Sequence, residues 1–205
     1  MRIAATILGV SLLLANCANA TMQEGLAALE KRDFETARTY LEKPAEDGDA
    51  LAQFHMGAMY QAGLGGERSE QKALRYYQAS AEKGNRDAEF AMGYFYQKGK
   101  GWLEQNPDNA VAWYNKSAQQ GSIAAQYNLA MMYATGEAVP VAYGSNPDFI
   151  KSRGWFLIVK DHVDTDEDRA KVATQIKDLE SHMTPRQLEK SKEFHNDWMA
   201  QYAKK

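Results

Sequence analysis

Three stretches of this sequence are drifted copies of one another. Ala45–Tyr60 reads A-E-D-G-D-A-L-A-Q-F-H-M-G-A-M-Y, Ala81–Tyr96 reads A-E-K-G-N-R-D-A-E-F-A-M-G-Y-F-Y, and Ala118–Tyr133 reads A-Q-Q-G-S-I-A-A-Q-Y-N-L-A-M-M-Y. Gly48, Gly84 and Gly121 are spaced by 36 and 37 residues, and Tyr60, Tyr96 and Tyr133 keep the same two intervals. A period of that length marks a repeat array, in which one supersecondary unit buries its apolar face only by stacking on its neighbours. The first expectation is therefore a solenoid.

Taken in order, apolar residues recur at spacings of three and four. Helices are expected at about 22–31 and 33–46, with Asp33 as a cap and Pro44 near the end of the second. The next begins at Asp49 and carries Gly57, which inside a helix costs about 1 kcal/mol relative to Ala. Gly57, Gly93 and Ala130 share one repeat position, so a small residue recurs where another helix must come close. Ser69 starts a helix that Gly84 stops; later helices are expected at about 86–98, 107–120 and from Ser122 to about Thr135. Asn106-Pro107 places a cap before a proline at the first helical position. Asn146-Pro147-Asp148 copies Asn106-Pro107-Asp108 after a long loop, Gly136 to Ser145. Thr165-x-x-Asp168 and Thr184-Pro185-Arg186-Gln187 read as capping boxes for two final helices, at about 165–182 and on to about 202, the latter burying Leu188, Phe194 and Trp198. The resulting division is a leader over 1–20, repeats at about 22–48, 49–84, 85–121 and 122–163, and capping helices over 164–203.

The leader has one charge, Arg2, then an almost wholly apolar run from Ile3 to Ala15 and an A-x-A site at Ala18-Asn19-Ala20. That pattern reads as a secretory signal peptide, and it places the mature chain in the periplasm or outside the cell. Two readings stay open for Cys17, the one cysteine. It leaves with the leader, or Leu14-Ala15-Asn16-Cys17 acts as a lipobox and the protein is anchored by lipid; Asn16 is a poor match for the second. Loss of Arg2 turns the net charge from −3 to −4, which argues against a nucleic-acid partner. Four Trp, eleven Tyr and seven Phe argue against a disordered chain.

The repeated pattern A-x-A-x-[FY]-x-[ML]-[GA]-x-x-Y-x-x-G, followed by A-x-x-[WY]-[YW]-x-x-[SA]-A-x-x-G, resembles the Sel1-like repeat, a branch of the tetratricopeptide superfamily. The first half lies at about 50–63, 86–99 and 123–136; the second at 73–84 and 110–121, with 33–48 similar. Ala130 for Gly, the long loop and Val163 for the terminating Gly depart from it. The resemblance implies an all-α fold, an α/α solenoid of helix-turn-helix repeats stacked into a curved superhelix whose first helices line a concave face, and a non-catalytic adaptor that holds a peptide or protein. On that geometry Phe54, Phe90 and Tyr127, with Ala58, Tyr94 and Met131 one turn on, face the groove. Phe90, Tyr94, Gln97, Tyr127 and Met131 form its expected centre. An alternative reading, resting on the same aromatic faces, is a cell-wall glycan-binding or accessory module for an envelope enzyme.

No catalytic residue, metal or cofactor is expected. His55, His162, His182 and His195 have no metal-ligand spacing, and the acids at 161–168 lack the glycine and terminal glutamate of a calcium loop. Gly63-Leu64-Gly65-Gly66 and Gly99-Lys100-Gly101 lack the ending of a phosphate loop and recur as inter-helix turns. Tyr60, Tyr96 and Tyr133, with Tyr76, Trp113 and Trp155, are at core spacing.

Overall fold

The computed structural model describes residues 21–138 and 146–202; the leader, Cys17 and most of the loop ahead of Asn146 lie outside them. The described residues are all-helical, in sequential pairs. They comprise α1 (21–30), α2 (Phe34–Glu46), α3 (Ala50–Ala62), α4 (Glu70–Ala81), α5 (Arg86–Lys98), α6 (Pro107–Gln119), α7 (Ile123–Thr135), α8 (Phe149–His162), α9 (Asp166–Ser181) and α10 (Pro185–Tyr202).

From α2 on, each helix start is closed by a short polar side chain that accepts from a first-turn amide. Asp33 accepts from Thr36 N, Asp49 from Ala52 N, Ser69 from Lys72 N, Asn106 from Asn109 N and Ser122 from Ala125 N. Thr184 and Gln187 form the reciprocal box, with Gln187 Oε1 accepting from Thr184 N at 2.8 Å. At the second Asn-Pro-Asp, α8 begins only at Phe149, and Asp148 is the cap. That start keeps the distance to the Trp155-Phe156 pair that α6 keeps to Trp113-Tyr114, so the tripeptide copy is two residues out of register.

The chain forms two compact units. The first holds the described residues up to Ala88 together with Lys100–Trp102; the second holds Glu89–Gly99 and the described residues from Leu103 on. In the first, Leu41, Met56 and Leu74 are buried where α2, α3 and α4 pack. The Gly63–Gly66 turn lies against the start of α2, where a Cβ on Gly65 would collide with the carbonyl of Phe34. Arg38 Nη2 donates to Tyr60 Oη at 2.6 Å beside it.

The second unit is built round Tyr114, Leu129, Met132, Phe156 and Ile158, none more than 1% exposed. Its last helix departs from expectation. Leu188, Phe194 and Trp198 are only half-buried, and the buried residue of α10 is Ser191. Ser191 Oγ accepts from Arg153 Nη1 at 2.7 Å, and Arg153 also donates to Glu180 Oε1 from Nε at 2.8 Å. A guanidinium buried on α8 needs polar partners, so α9 and α10 supply a carboxylate and a hydroxyl there, while Phe194 and Trp198 of α10 pack beside it on Trp155.

The recurring small residue has the expected cause, with a different partner. A Cβ on Gly57 would stand 2.7 Å from Tyr77 Cδ1, and one on Gly93 2.5 Å from Tyr114 Cδ1. The second aromatic of each pair, Tyr77 or Tyr114, fills that space and is buried, while Tyr76 and Trp113 beside them are half-exposed. Trp155 and Phe156 are both buried.

Candidate functional site

The groove positions fall on the first helix of each pair, at the fifth and ninth residues of α3, α5 and α7. The fifth position has one environment throughout. Phe54 lies 5.9 Å from the Tyr77 ring, Phe90 5.6 Å from Tyr114, and Tyr127 5.6 Å from Phe156, edge to face. Phe54 and Phe90 are seated on the tyrosine that covers the glycine, and Tyr127 on Phe156 at the matching position. Each keeps part of its surface in solvent, Phe54 and Phe90 half-buried and Tyr127 38% exposed. They therefore pack and present at once.

Within the second unit Phe90, Tyr94, Met131 and Tyr127 all belong to the α5 and α7 register, and Phe90, Tyr94 and Met131 rest against the core. Gln97 is committed to a chain of hydrogen bonds. Asn128 Nδ2 donates to Tyr114 Oη at 2.9 Å, Tyr114 Oη donates to Gln97 Oε1 at 3.0 Å, and Gln97 Nε2 donates to Glu137 Oε2 at 3.0 Å. Burial pushes the Tyr114 hydroxyl up to about 12, so it stays a donor at neutral pH. In the first unit Tyr77 Oη makes the same bond to Gln61 Oε1, at 2.7 Å. Tyr114, Asn128 and Glu137 were not among the expected site residues. The signal for the first was the recurrence of Gln61 and Gln97 two turns beyond Phe54 and Phe90.

Beside Tyr127 is a cleft of about 500 Å³, its floor formed by Ile123, Val159, Val163 and Val172 and its rim by Asp168 and Lys171. Tyr127 alone of the expected groove residues lines it. A half-exposed aromatic beside an apolar cleft, with amide groups fixed in a hydrogen-bonded row, can take up apolar side chains and backbone of a peptide. Burial holds the His55 imidazole below its usual range, against the pull of Asp87 and Asp49. Among the described residues no three His, Cys, Asp or Glu side chains gather as metal ligands, and no helix is long and apolar enough to cross a membrane.

The Sel1 repeat family model matches four times, at residues 14–49, 50–85, 86–122 and 123–158, together more than half of the chain. The chain belongs to the Sel1 repeat family. The helix pairs from α1 to α8 are thus Sel1 repeats, a scaffold typically used for protein interaction. The crystal structure of a Sel1 repeat protein from Oxalobacter formigenes is similar over 76% of this chain and 57% of its own, at 25% identity and a TM-score of 0.65. That of a protective antigen present in uropathogenic Escherichia coli strains, displaying an SLR fold, covers 90% of this chain and 55% of its own, at 22% identity and a TM-score of 0.44. This Sel1 repeat chain therefore spans less than two thirds of either structure. No curated protein matches it.

Proposed function

We propose that this Sel1 repeat chain is an exported, non-catalytic scaffold that holds a partner protein or peptide against the first-helix face of its second unit. The observation that carries the reading is the recurring, half-buried aromatic at Phe54, Phe90 and Tyr127, each backed by an aromatic of the second helix and each still open on one side. Phe90, Tyr94, Gln97, Tyr127 and Met131 are the contact surface. Export rests on the apolar leader and its Ala18-Asn19-Ala20 site. The intact mass of the native protein separates a chain cleaved after Ala20 from one lipidated at Cys17.

The test is capture from an envelope extract on the immobilised chain from residue 21 onward. Tyr94→Ser with Tyr127→Ser should abolish that capture while helicity by circular dichroism persists; unchanged capture would discard the surface. Phe90 is left alone because it rests on Tyr114.

One observation favours the glycan reading as a second possibility. Trp102 is 56% exposed, with the Arg75 guanidinium 5.1 Å from its ring, a flat aromatic face of the sort on which sugars stack. Sedimentation with cell-wall glycan, lost on Trp102→Ala, separates it from protein binding.

A further inference from the structure

Gln53, Glu89 and Gln126 occupy one repeat position, the fourth residue of α3, α5 and α7. All three side chains are buried, at 7%, 5% and 2% exposure. In the two glutamine copies the amide Nε2 donates to a backbone carbonyl of the preceding helix, Ala45 O at 3.1 Å and Ala118 O at 3.3 Å. The neutral amide therefore does the packing work of this position twice. Glu89 puts an acid in its place, and an acid at low exposure carries a desolvation cost that glutamine does not.

The partner position has changed as well. Lys83 Nζ lies 3.3 Å from Gln53 Oε1. The residue one repeat later is Gln120, whose Nε2 donates to Glu89 Oε2 at 2.8 Å. The lysine and the acid thus stand in different repeats. The other nearby cation, Lys116, has its Nζ 3.9 Å from the centre of the Trp113 ring and makes no ion pair with Glu89 among the described residues.

Glu89, Lys116, Gln119, Gln120, Gly121 and Tyr202 line a cavity of about 490 Å³ open to solvent. Gln126 Oε1 is the one buried side-chain oxygen or nitrogen lacking a partner among the described residues. Glu89 Oε1, which makes no hydrogen bond there, is accordingly open to this cavity rather than sealed. One carboxylate with an amide is too small a donor set for a metal ion. It suits one ammonium or guanidinium group, for which a charge-assisted hydrogen bond is the strong contact.

We propose that the Glu89 cavity is a receptor for a single organic cation, the ammonium or guanidinium group of a lysine or arginine side chain or of a free polyamine. The site shares no lining residue with the proposed contact surface, although Glu89 lies on the same helix as Phe90. Burial raises the Glu89 carboxyl above its ordinary value, with Gln120 and Lys116 acting against that shift. A bound cation would relieve the same cost from outside, as Lys83 would from within.

The test is a titration of the isotope-labelled chain, followed by backbone amide shifts. The probes are N-acetyl-lysine amide, N-acetyl-arginine amide and spermidine, with N-acetyl-norleucine amide as the uncharged control. Saturable shifts at Glu89, Gln120 and Gly121 are expected with the cations and not with norleucine. Spermidine acting alone would support the site and assign it to a polyamine; the amino-acid amides acting would assign it to a partner side chain. Glu89→Gln should lower the affinity about tenfold or more. Gln120→Lys should do the same by filling the need internally. Both variants should melt at or above the parent's temperature, so lost binding is not lost fold. Equal affinity in Glu89→Gln, equal binding of norleucine, or a lower melting temperature for Glu89→Gln would each overturn the proposal. Capture on the first-helix face can fail while these titrations succeed, and the reverse.

Discussion

Tyr114 closes over Gly93 so tightly that a Cβ on the glycine would stand 2.5 Å from its Cδ1. Tyr114 is fully buried and hydrogen-bonded at its far end, so the ring has little room to withdraw. Gly93→Ala should gain about 1 kcal/mol of helix propensity and lose about 1–3 kcal/mol to overpacking. The net expectation is a lower urea midpoint. A midpoint that rises would show that the tyrosine yields and that helix separation does not depend on the missing methyl.

The bond from Tyr114 Oη to Gln97 Oε1 should behave as a coupled pair. Tyr114→Phe leaves the half-buried Gln97 acceptor and Asn128 donor each short of a partner, a loss of about 1 kcal/mol. Gln97→Ala alone should cost a similar amount. The double variant should cost less than the two single changes together, with coupling of about 0.5–1.5 kcal/mol. Strict additivity in a denaturation cycle would mean that the bond contributes nothing of its own.

The raised carboxyl of Glu89 fixes the sign of a pH effect. Between the unfolded value of 4.5 and the higher folded one, the native chain holds more of the proton than the unfolded chain. Stability from this residue therefore falls as pH rises through that window. Glu89→Gln has no such loss. It should exceed the parent by about 1 kcal/mol at pH 7 and converge on it near pH 4. Parallel stability curves for the two proteins would contradict the assignment.

Arg153 joins α8 to both later helices through Glu180 and Ser191. Ser191→Ala should strand one guanidinium nitrogen in the interior, at a cost of about 1–2 kcal/mol. Hydrogen exchange should report it as faster exchange along α10 before any change in α7. Exchange that accelerates uniformly over the whole unit would argue against a local anchor.

Helix positions were legible in the sequence because caps and stops are local. Ser69, Asn106 and Gly84 act on their own turns, and their effect does not depend on what packs above them. The identity of the buried aromatic was less legible. Tyr76-Tyr77 and Trp113-Tyr114 both read as two adjacent apolar residues, and only the small residue facing them on the first helix decides which one enters. Gly57 and Gly93 held that information, in a helix separate from the ring they admit. Leu188, Phe194 and Trp198 looked like core by type; Phe194 and Trp198 do rest on Trp155, but they stay half-buried, and the fully buried residue of α10 is the serine that answers Arg153. A charge placed on α8 cannot be inferred to be buried from spacing alone. The Glu89 substitution was visible in the aligned copies, but its meaning required knowing that Gln53 and Gln126 point at backbone carbonyls.

The α7–α8 pair shows how the tyrosine and glutamine positions change together. Where the earlier pairs have Gln61 with Tyr77 and Gln97 with Tyr114, the later one has Ala134 with Phe156, and Phe156 is 1% exposed. Hydroxyl and amide are both absent, so neither is stranded. Anyone who lengthens, shortens or shuffles this array must therefore move the two positions as one unit of inheritance. A splice between the helices of a pair would join a phenol to an alanine or an amide to a phenylalanine, and modules cut there would be mismatched.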